Sequence, residues 1–320
     1  MAGRGANPQP PVLRPFVWAA RHGTTLLALG IFGGLLIPPL AHVFHWFITP
    51  NVIILMTLVL LRVDAAAALR RLRQPVLLAG ITAVQLLATP LVAASLVALL
   101  PLDAGIKAGV VVFSTGCGAT SGAAFARLVG LDPELTLLGT LTTTLLLPLS
   151  APPLALSLGG VGLHLGLYGF ALRLAMVVLL PLVLSVLLRR LLGPDRLAPL
   201  GQAVDGGVVW VLVFYGFAVM DGLTARLLAD PLWVAEAALA AFAAAFGLNL
   251  LTTLLFLPAG LREAASAGLM SGNRNMALYL AVLPATADPR LALFFALCQF
   301  PLFLSPFLLR PVYRLLLREA

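Results

Sequence analysis

The chain has 320 residues, 61% of them hydrophobic and 10% charged, with a mean hydropathy of +1.06. A soluble domain carries roughly 45–50% apolar and 25% charged residues, so this composition excludes an ordinary soluble fold and points to a polytopic membrane protein. The net charge of +8 fits arginine-rich loops on the cytoplasmic side of a bilayer rather than a nucleic-acid partner, and none is expected.

The first stretch, MAGRGANPQPPVLRPFVWAARHG, is basic and proline-rich and reads as a cytoplasmic tail ahead of a retained first span. A helix needs about 20 mostly apolar residues to cross a bilayer. Charges, prolines and glycines punctuate ten such segments: 24–41, 46–62, 75–100, 105–128, 134–157, 166–190, 204–226, 232–257, 260–284 and 290–314. With the N-terminus inside, the cytoplasmic side holds Arg4, Arg14, Arg21, Arg62, Arg70, Arg71, Arg73, Arg127, Arg189, Arg190, Arg196, Arg262, Arg310, Arg314 and Arg318. That is 15 of the 20 basic residues. Lys107, Arg173, Arg226 and Arg290 fall on the other side, and both termini are expected in the cytoplasm. Arg274 alone remains inside a span.

Two segments break the apolar pattern. The fourth reads VVVFSTGCGATSGAAFARL and the ninth AASAGLMSGNRNMALYLAVLP. Glycine in a helix interior costs about 1 kcal/mol relative to alanine. Glycines clustered with Ser, Thr and Asn therefore mark places where a helix unwinds and offers backbone groups to a ligand. Unwound backbone at membrane depth is tolerated only where protein or a cavity satisfies it. The plainer reading is close helix packing through small residues. Cys117 and Cys298 both lie in apolar segments and form no disulfide framework. His22, His42, His45 and His164 fall in tails or at span ends, as interfacial residues do, and no metal site is expected.

The two halves are alike. LDPELTLLGTL opens the fifth span and ADPRLALFFAL the tenth, placing Asp132-Pro133 and Asp288-Pro289 156 residues apart. QLLAT at 85–89 mirrors NLLTT at 249–253, and the 156-residue offset lays Gly116-Cys117-Gly118 over Gly272-Asn273-Arg274. A five-span unit used twice inserts its copies in opposite orientations. Inverted repeats with breaks at matching positions are the mark of secondary transporters. The expected fold is a single all-α membrane domain over 1–320, with one repeat at about 24–157 and a second at about 166–314.

These residues also carry a resemblance. CGATSGA at 117–123 and MSGNRN at 270–275 resemble the crossover motifs of the bile acid:sodium symporter family. Gln85 is similar to that family's third-helix glutamine, and Thr136 and Thr140 to its sodium-binding hydroxyls. The resemblance implies ten helices in two inverted repeats, with the fourth and ninth unwound and crossing. It also implies alternating access to a central site for small or amphipathic organic anions.

The departures bear on coupling. The family's Ser-Asn pair falls on Gly122-Ala123, its sodium-binding Glu on Met270 and its Gln on Arg274. Sodium is a hard cation that needs oxygen ligands, so the resemblance implies dismantled sodium sites at Gln85, Gly122, Ala123, Thr136, Thr140, Met270 and Arg274. Neither sodium nor any other cofactor is expected. Arg274 supplies the positive charge that sodium loading supplies in the family. A guanidinium at a helix centre costs about 2.5–3.5 kcal/mol on insertion scales, so such residues usually have a task. The plainer alternative is that Arg274 ties the crossing helices together. Substrate contacts are expected from Arg274, Asn273, Asn275, Ser271, Thr120, Ser121, Cys117, Gln85 and Asn249. The expected protein is a sodium-independent organic-anion carrier of a bacterial inner membrane, with the lipid bilayer and its substrate as partners. A sodium- or proton-coupled symporter of the same fold and a non-transporting receptor stand as alternatives. No nucleophile, base or metal set lies at one depth, so no enzyme is expected.

Overall fold

A computed structural model describes residues 11–63, 74–159, 166–284 and 286–317. The expected cytoplasmic charges Arg4, Arg70, Arg71, Arg73 and Arg318, and His164, lie outside the described residues. Within them the chain is helical, apart from turns and one isolated antiparallel β-bridge. Five stretches are long and apolar enough to cross a membrane: Pro75–Ala98, Pro133–Leu158, Leu167–Ala229, Pro231–Ala259 and Pro289–Leu316. A bent pair, Thr25–Leu36 and Pro38–His45, is a sixth candidate. This is the build of an all-helical membrane protein.

The helices are α1 (Arg14–Arg21), α2 (Gly23–Leu36), α3 (Pro38–His45), α4 (Ile48–Leu61), α5 (Pro75–Ala83), α6 (Thr89–Ala98), α7 (Ala104–Ser114), α8 (Gly122–Val129) and α9 (Pro133–Leu158). They continue with α10 (Leu167–Leu197), α11 (Gly201–Val219), α12 (Leu223–Ala229), α13 (Pro231–Phe256), α14 (Leu261–Gly272), α15 (Met276–Val282), α16 (Pro289–Leu297) and α17 (Gln299–Leu316).

The segment expected to span 24–41 is not straight: α2 and α3 meet at 107°. Pro38 and Pro39 lack the N–H groups that would continue the ladder, and Ile37 before them leaves the helical region at φ −124°, ψ 68°. Asp103, Asp132, Asp230 and Asp288 each cap the helix that follows, accepting backbone N–H groups through their carboxylates.

The helices pack as two groups. In the first, α1 to α4 surround α11, and α10 lies along α4. Close approach there rests on Gly30, where a Cβ would sit 2.8 Å from the Val213 carbonyl oxygen of α11. In the second, α6 and α16 flank α7, α8 lies against α9 and α17, and α13 lies along α14. The short α15 docks on α4 and α10 of the first group.

Candidate functional site

Between α7 and α8, and again between α14 and α15, the helix gives way to extended chain. These two breaks meet. Gly118 and Arg274 form the antiparallel bridge, with Ala119 N–H donating to the Asn273 carbonyl (2.8 Å) and Asn275 N–H to the Cys117 carbonyl (2.9 Å). Each unwound segment thus supplies the hydrogen-bond partners that the other lost by leaving the helix. Gly118 faces Thr140 of α9 so closely that a Cβ would sit 2.9 Å from its hydroxyl oxygen, so a side chain at Gly118 would push Thr140 aside.

Arg274 is 1% exposed. Its Nε donates to the Ser271 carbonyl (2.7 Å), Nη1 to the Gln85 carbonyl (2.9 Å) and to the Gly116 carbonyl, and Nη2 to the Thr89 hydroxyl (2.8 Å). Four of the five guanidinium N–H groups therefore hold protein oxygens. No carboxylate pairs with Arg274 among the described residues. The cation sits in a nest of three carbonyls and one hydroxyl drawn from three separate segments.

One of those carbonyls is released by a local defect. Residues Val84–Ala88 form a π-helical turn between α5 and α6, with Thr89 N–H bonding the Val84 carbonyl. In that register Gln85 would accept from residue 90, which is proline and has no N–H. Its carbonyl accepts the Thr89 hydroxyl (2.9 Å) and Arg274 instead. The Gln85 side chain reaches the other way, donating to the Met270 carbonyl (3.2 Å).

Where the family resemblance would put sodium ligands, little oxygen remains. Met270 packs with Ile81, Leu135 and Ala267 in an apolar cluster, its sulfur against Gly139. The Thr136 hydroxyl donates to the Asp132 carbonyl (2.7 Å). Gly122 and Ala123 bring no side-chain oxygen. Among the described residues, Gln85 Oε1 and Thr140 Oγ1 have no hydrogen-bond partner, nor do Ser271 Oγ and Asn273 Nδ2. Two neutral oxygens without a carboxylate are a poor fit for a sodium ion.

A cavity of 340 Å³ separates the two helix groups beside the crossover. Leu27, Leu55, Val59, Val208 and Leu212 form one apolar wall, and Phe125, Met276, Leu302 and Phe303 the other. Polar groups come from Thr120, Ser121, Asn275, Tyr215, Gln299 and one edge of Arg274, with Arg62 and Asp205 also lining it. Thr120 also lines a second cavity of 240 Å³ against α9 and α10, together with Thr140 and Thr144.

Of the residues expected to bind substrate, Arg274, Asn275, Thr120 and Ser121 line the main cavity. Asn273, Ser271, Cys117 and Gln85 lie buried in the crossover and its supports, where their carbonyls accept hydrogen bonds and the Gln85 side chain also donates to the Met270 carbonyl. Asn249 is elsewhere: it exchanges hydrogen bonds with the Tyr313 hydroxyl at 3.0 and 3.1 Å and backs α14 at Gly272. Thr89, Arg62, Asp205 and Tyr215 were not expected. Only Thr89 had a local signal, the Thr-Pro pair that disturbs the helix before it.

At the far end of α15 a third cavity of 780 Å³ is lined by His45, Asp221, Arg226, Leu280, Pro284, Asp288 and Arg290 among others. Beside it Arg290 bridges Asp288 (2.8 Å) and Asp103 (3.1 Å). Burial pushes the Asp103 carboxyl up, but hydrogen bonds from the Trp233 indole and the Gly105 amide, with the Arg290 charge, outweigh it and hold it below the usual carboxylate value. Asp288 is likewise lowered, burial being outweighed by Arg290.

Fold and site together define an all-helical membrane protein with a polar crossover enclosed at its centre. No protein-family model matches the chain, and no curated protein matches it at a significant level.

Proposed function

We propose that the protein is a secondary transporter of small or amphipathic organic anions, working by alternating access without sodium, with Arg274 standing in the place of a bound cation. On this reading its ten spans form two inverted five-helix repeats, as in the bile acid:sodium symporter family. The observation that carries the reading is the crossover itself: two unwound segments 156 residues apart in matching positions, pinned by a guanidinium held among four oxygens. Carbonyls and a hydroxyl are what a bound alkali cation gathers around itself, and here the chain's own cation fills that nest.

Alternating access is supported by the two cavities at opposite ends of α15. Asn275, Met276 and Ala277 at its start line one, and Leu280, Leu283 and Pro284 at and beyond its end line the other. Seven helical residues span about 10 Å, so a short barrier divides them. Sliding one helix group over the other would open each cavity in turn. The apolar walls with polar groups gathered at the crossover suit a ligand with an apolar body and an anionic head.

A thermal-shift screen of the purified protein against organic acids, followed by uptake of the hits into vesicles, tests this reading. Replacing sodium by choline should leave both the melting temperature and the initial uptake rate unchanged. A saturable sodium-dependent rise in either would refute sodium independence. Binding without flux would instead identify a receptor.

A further inference from the structure

Arg274 has little left to offer a ligand, since four of its five N–H groups are committed to the protein. The other cation lining the main cavity among the described residues is Arg62. It grips Asp205 side-on, Nε to Oδ1 at 2.8 Å and Nη2 to Oδ2 at 3.2 Å, across 143 residues of chain. This is the geometry with which arginine takes a carboxylate of any origin.

Three features hold Arg62 ready. It caps the C-terminus of α4, where a cation is favoured by the helix dipole. Arg189 donates to the Leu60 and Val63 carbonyls and so fixes the backbone on either side of it. Gly201 leaves room for the guanidinium plane: a Cβ there would come within 2.8 Å of Nη1 and 3.3 Å of Cζ. The pair is also half-exposed, at 48% and 46% of the two side chains. An ion pair so placed is weak, and Asp205 can be released into water at little cost.

We propose that Arg62 is the carboxylate-recognising residue of the main cavity, and that Asp205 is a built-in competitor which the ligand's own carboxylate displaces. The ligand is then a monocarboxylate whose apolar body lies between Leu55, Val59, Leu212 and Phe303. This rests on the organic-anion reading above and names the residue that reads the anion. Exchange of one carboxylate for another also keeps Arg62 paired at every stage, so it is not left bare when the cavity empties.

The test uses the full-length protein in detergent, titrated with 2-naphthoate and with its neutral counterpart 2-naphthamide. Naphthoate should bind the wild-type protein and the amide at least about tenfold more weakly. Arg62→Gln should weaken naphthoate about tenfold to a hundredfold, and Arg62→Lys less, because the charge survives without the fork. Asp205→Asn should tighten it about two- to fivefold, and should change nothing when added to Arg62→Gln. Naphthoate affinity equal in wild type and Arg62→Gln, yet above that of the amide, would overturn the Arg62 assignment and leave the anion reading standing. Equal binding of acid and amide to the wild type overturns both. Weakening in Asp205→Asn, or no naphthoate binding even there, overturns the competitor role.

Discussion

If Arg274 occupies a cation's place, removing its side chain should create a site that a free cation can fill. Arg274→Ala strips the nest of its four donors and leaves the carbonyls of Ser271, Gln85 and Gly116 and the hydroxyl of Thr89 facing a hole. A hydrogen bond to a charged group nets about 1.5–3 kcal/mol. The four do not add, because the lone buried cation also carries a desolvation cost of several kcal/mol. Each buried acceptor left without a donor costs about 1–3 kcal/mol, partly offset by the desolvation cost no longer incurred, so a loss of about 3–5 kcal/mol is expected. At roughly 2 °C per kcal/mol for a chain of this size, the melting temperature should fall by about 6–10 °C. A cation that binds only the folded state restores about 2.7 kcal/mol at a hundred times its Kd, or about 5 °C. Melting curves of Arg274→Ala in choline, sodium, potassium and guanidinium chlorides at equal, moderate ionic strength measure this directly. The wild type should not distinguish the salts. A melting temperature in Arg274→Ala that is equally indifferent to all four refutes the idea that the nest is a cation site. Anion affinity is expected to fall in Arg274→Gln as well. Intact affinity beside a lowered melting temperature reduces Arg274 to a tie between helices.

Gly272→Ala should destabilise the protein by about 1–3 kcal/mol, because the new Cβ meets the Ala245 backbone oxygen at 2.5 Å and helix α13 must shift; an unchanged melting temperature would contradict the packing described. Met270→Glu should lower the melting temperature rather than recreate a sodium site, since its carboxylate would be buried among Ile81, Leu135 and Ala267; sodium-dependent stabilisation of that variant refutes this. Asp103 and Asp288 are held below their usual pKa, so their contribution is complete above the unfolded value of about 3.9 and is lost as pH falls through the lower folded values. Stability should therefore decline on the acid side of about pH 4, with a shallower slope in Asp103→Asn; identical slopes between about pH 2 and 5 would count against the Arg290 bridge.

The breaks in the fourth and ninth segments were legible because they are local. Glycine, serine and asparagine weaken a helix wherever they cluster, and both unwound segments fall within the stretches that their sequence marks. That Gly118 meets Arg274 is foreshadowed by the 156-residue offset, but that they meet in an antiparallel bridge is not. Arg274 announced itself as an isolated charge, yet the sequence left its partners open, because carbonyl oxygens have no sequence signature. The bend at Ile37 is written in Pro38-Pro39, while the hydropathy pattern runs across it unbroken. The Arg62–Asp205 pair was out of reach altogether: both residues look like ordinary loop-side charges until α4 and α11 are brought side by side. Asn249 shows the converse, for its likeness to Gln85 in the repeat is a likeness of position, while Tyr313 on α17 decides what it bonds.

The antiparallel bridge also sets an order of events in the making of the protein. Ala119 N–H and the Cys117 carbonyl find their partners only at Asn273 and Asn275. The ribosome reaches those residues more than 150 positions later. On the proposed ten-span reading, the first unwound segment would until then sit in the bilayer with bare backbone groups, each costing several kcal/mol in lipid. On that reading, a chain halted before residue 273 would be committed to the membrane but unable to settle there. That makes the ninth segment the closing clasp of assembly, and truncations just upstream of it the natural targets of membrane quality control.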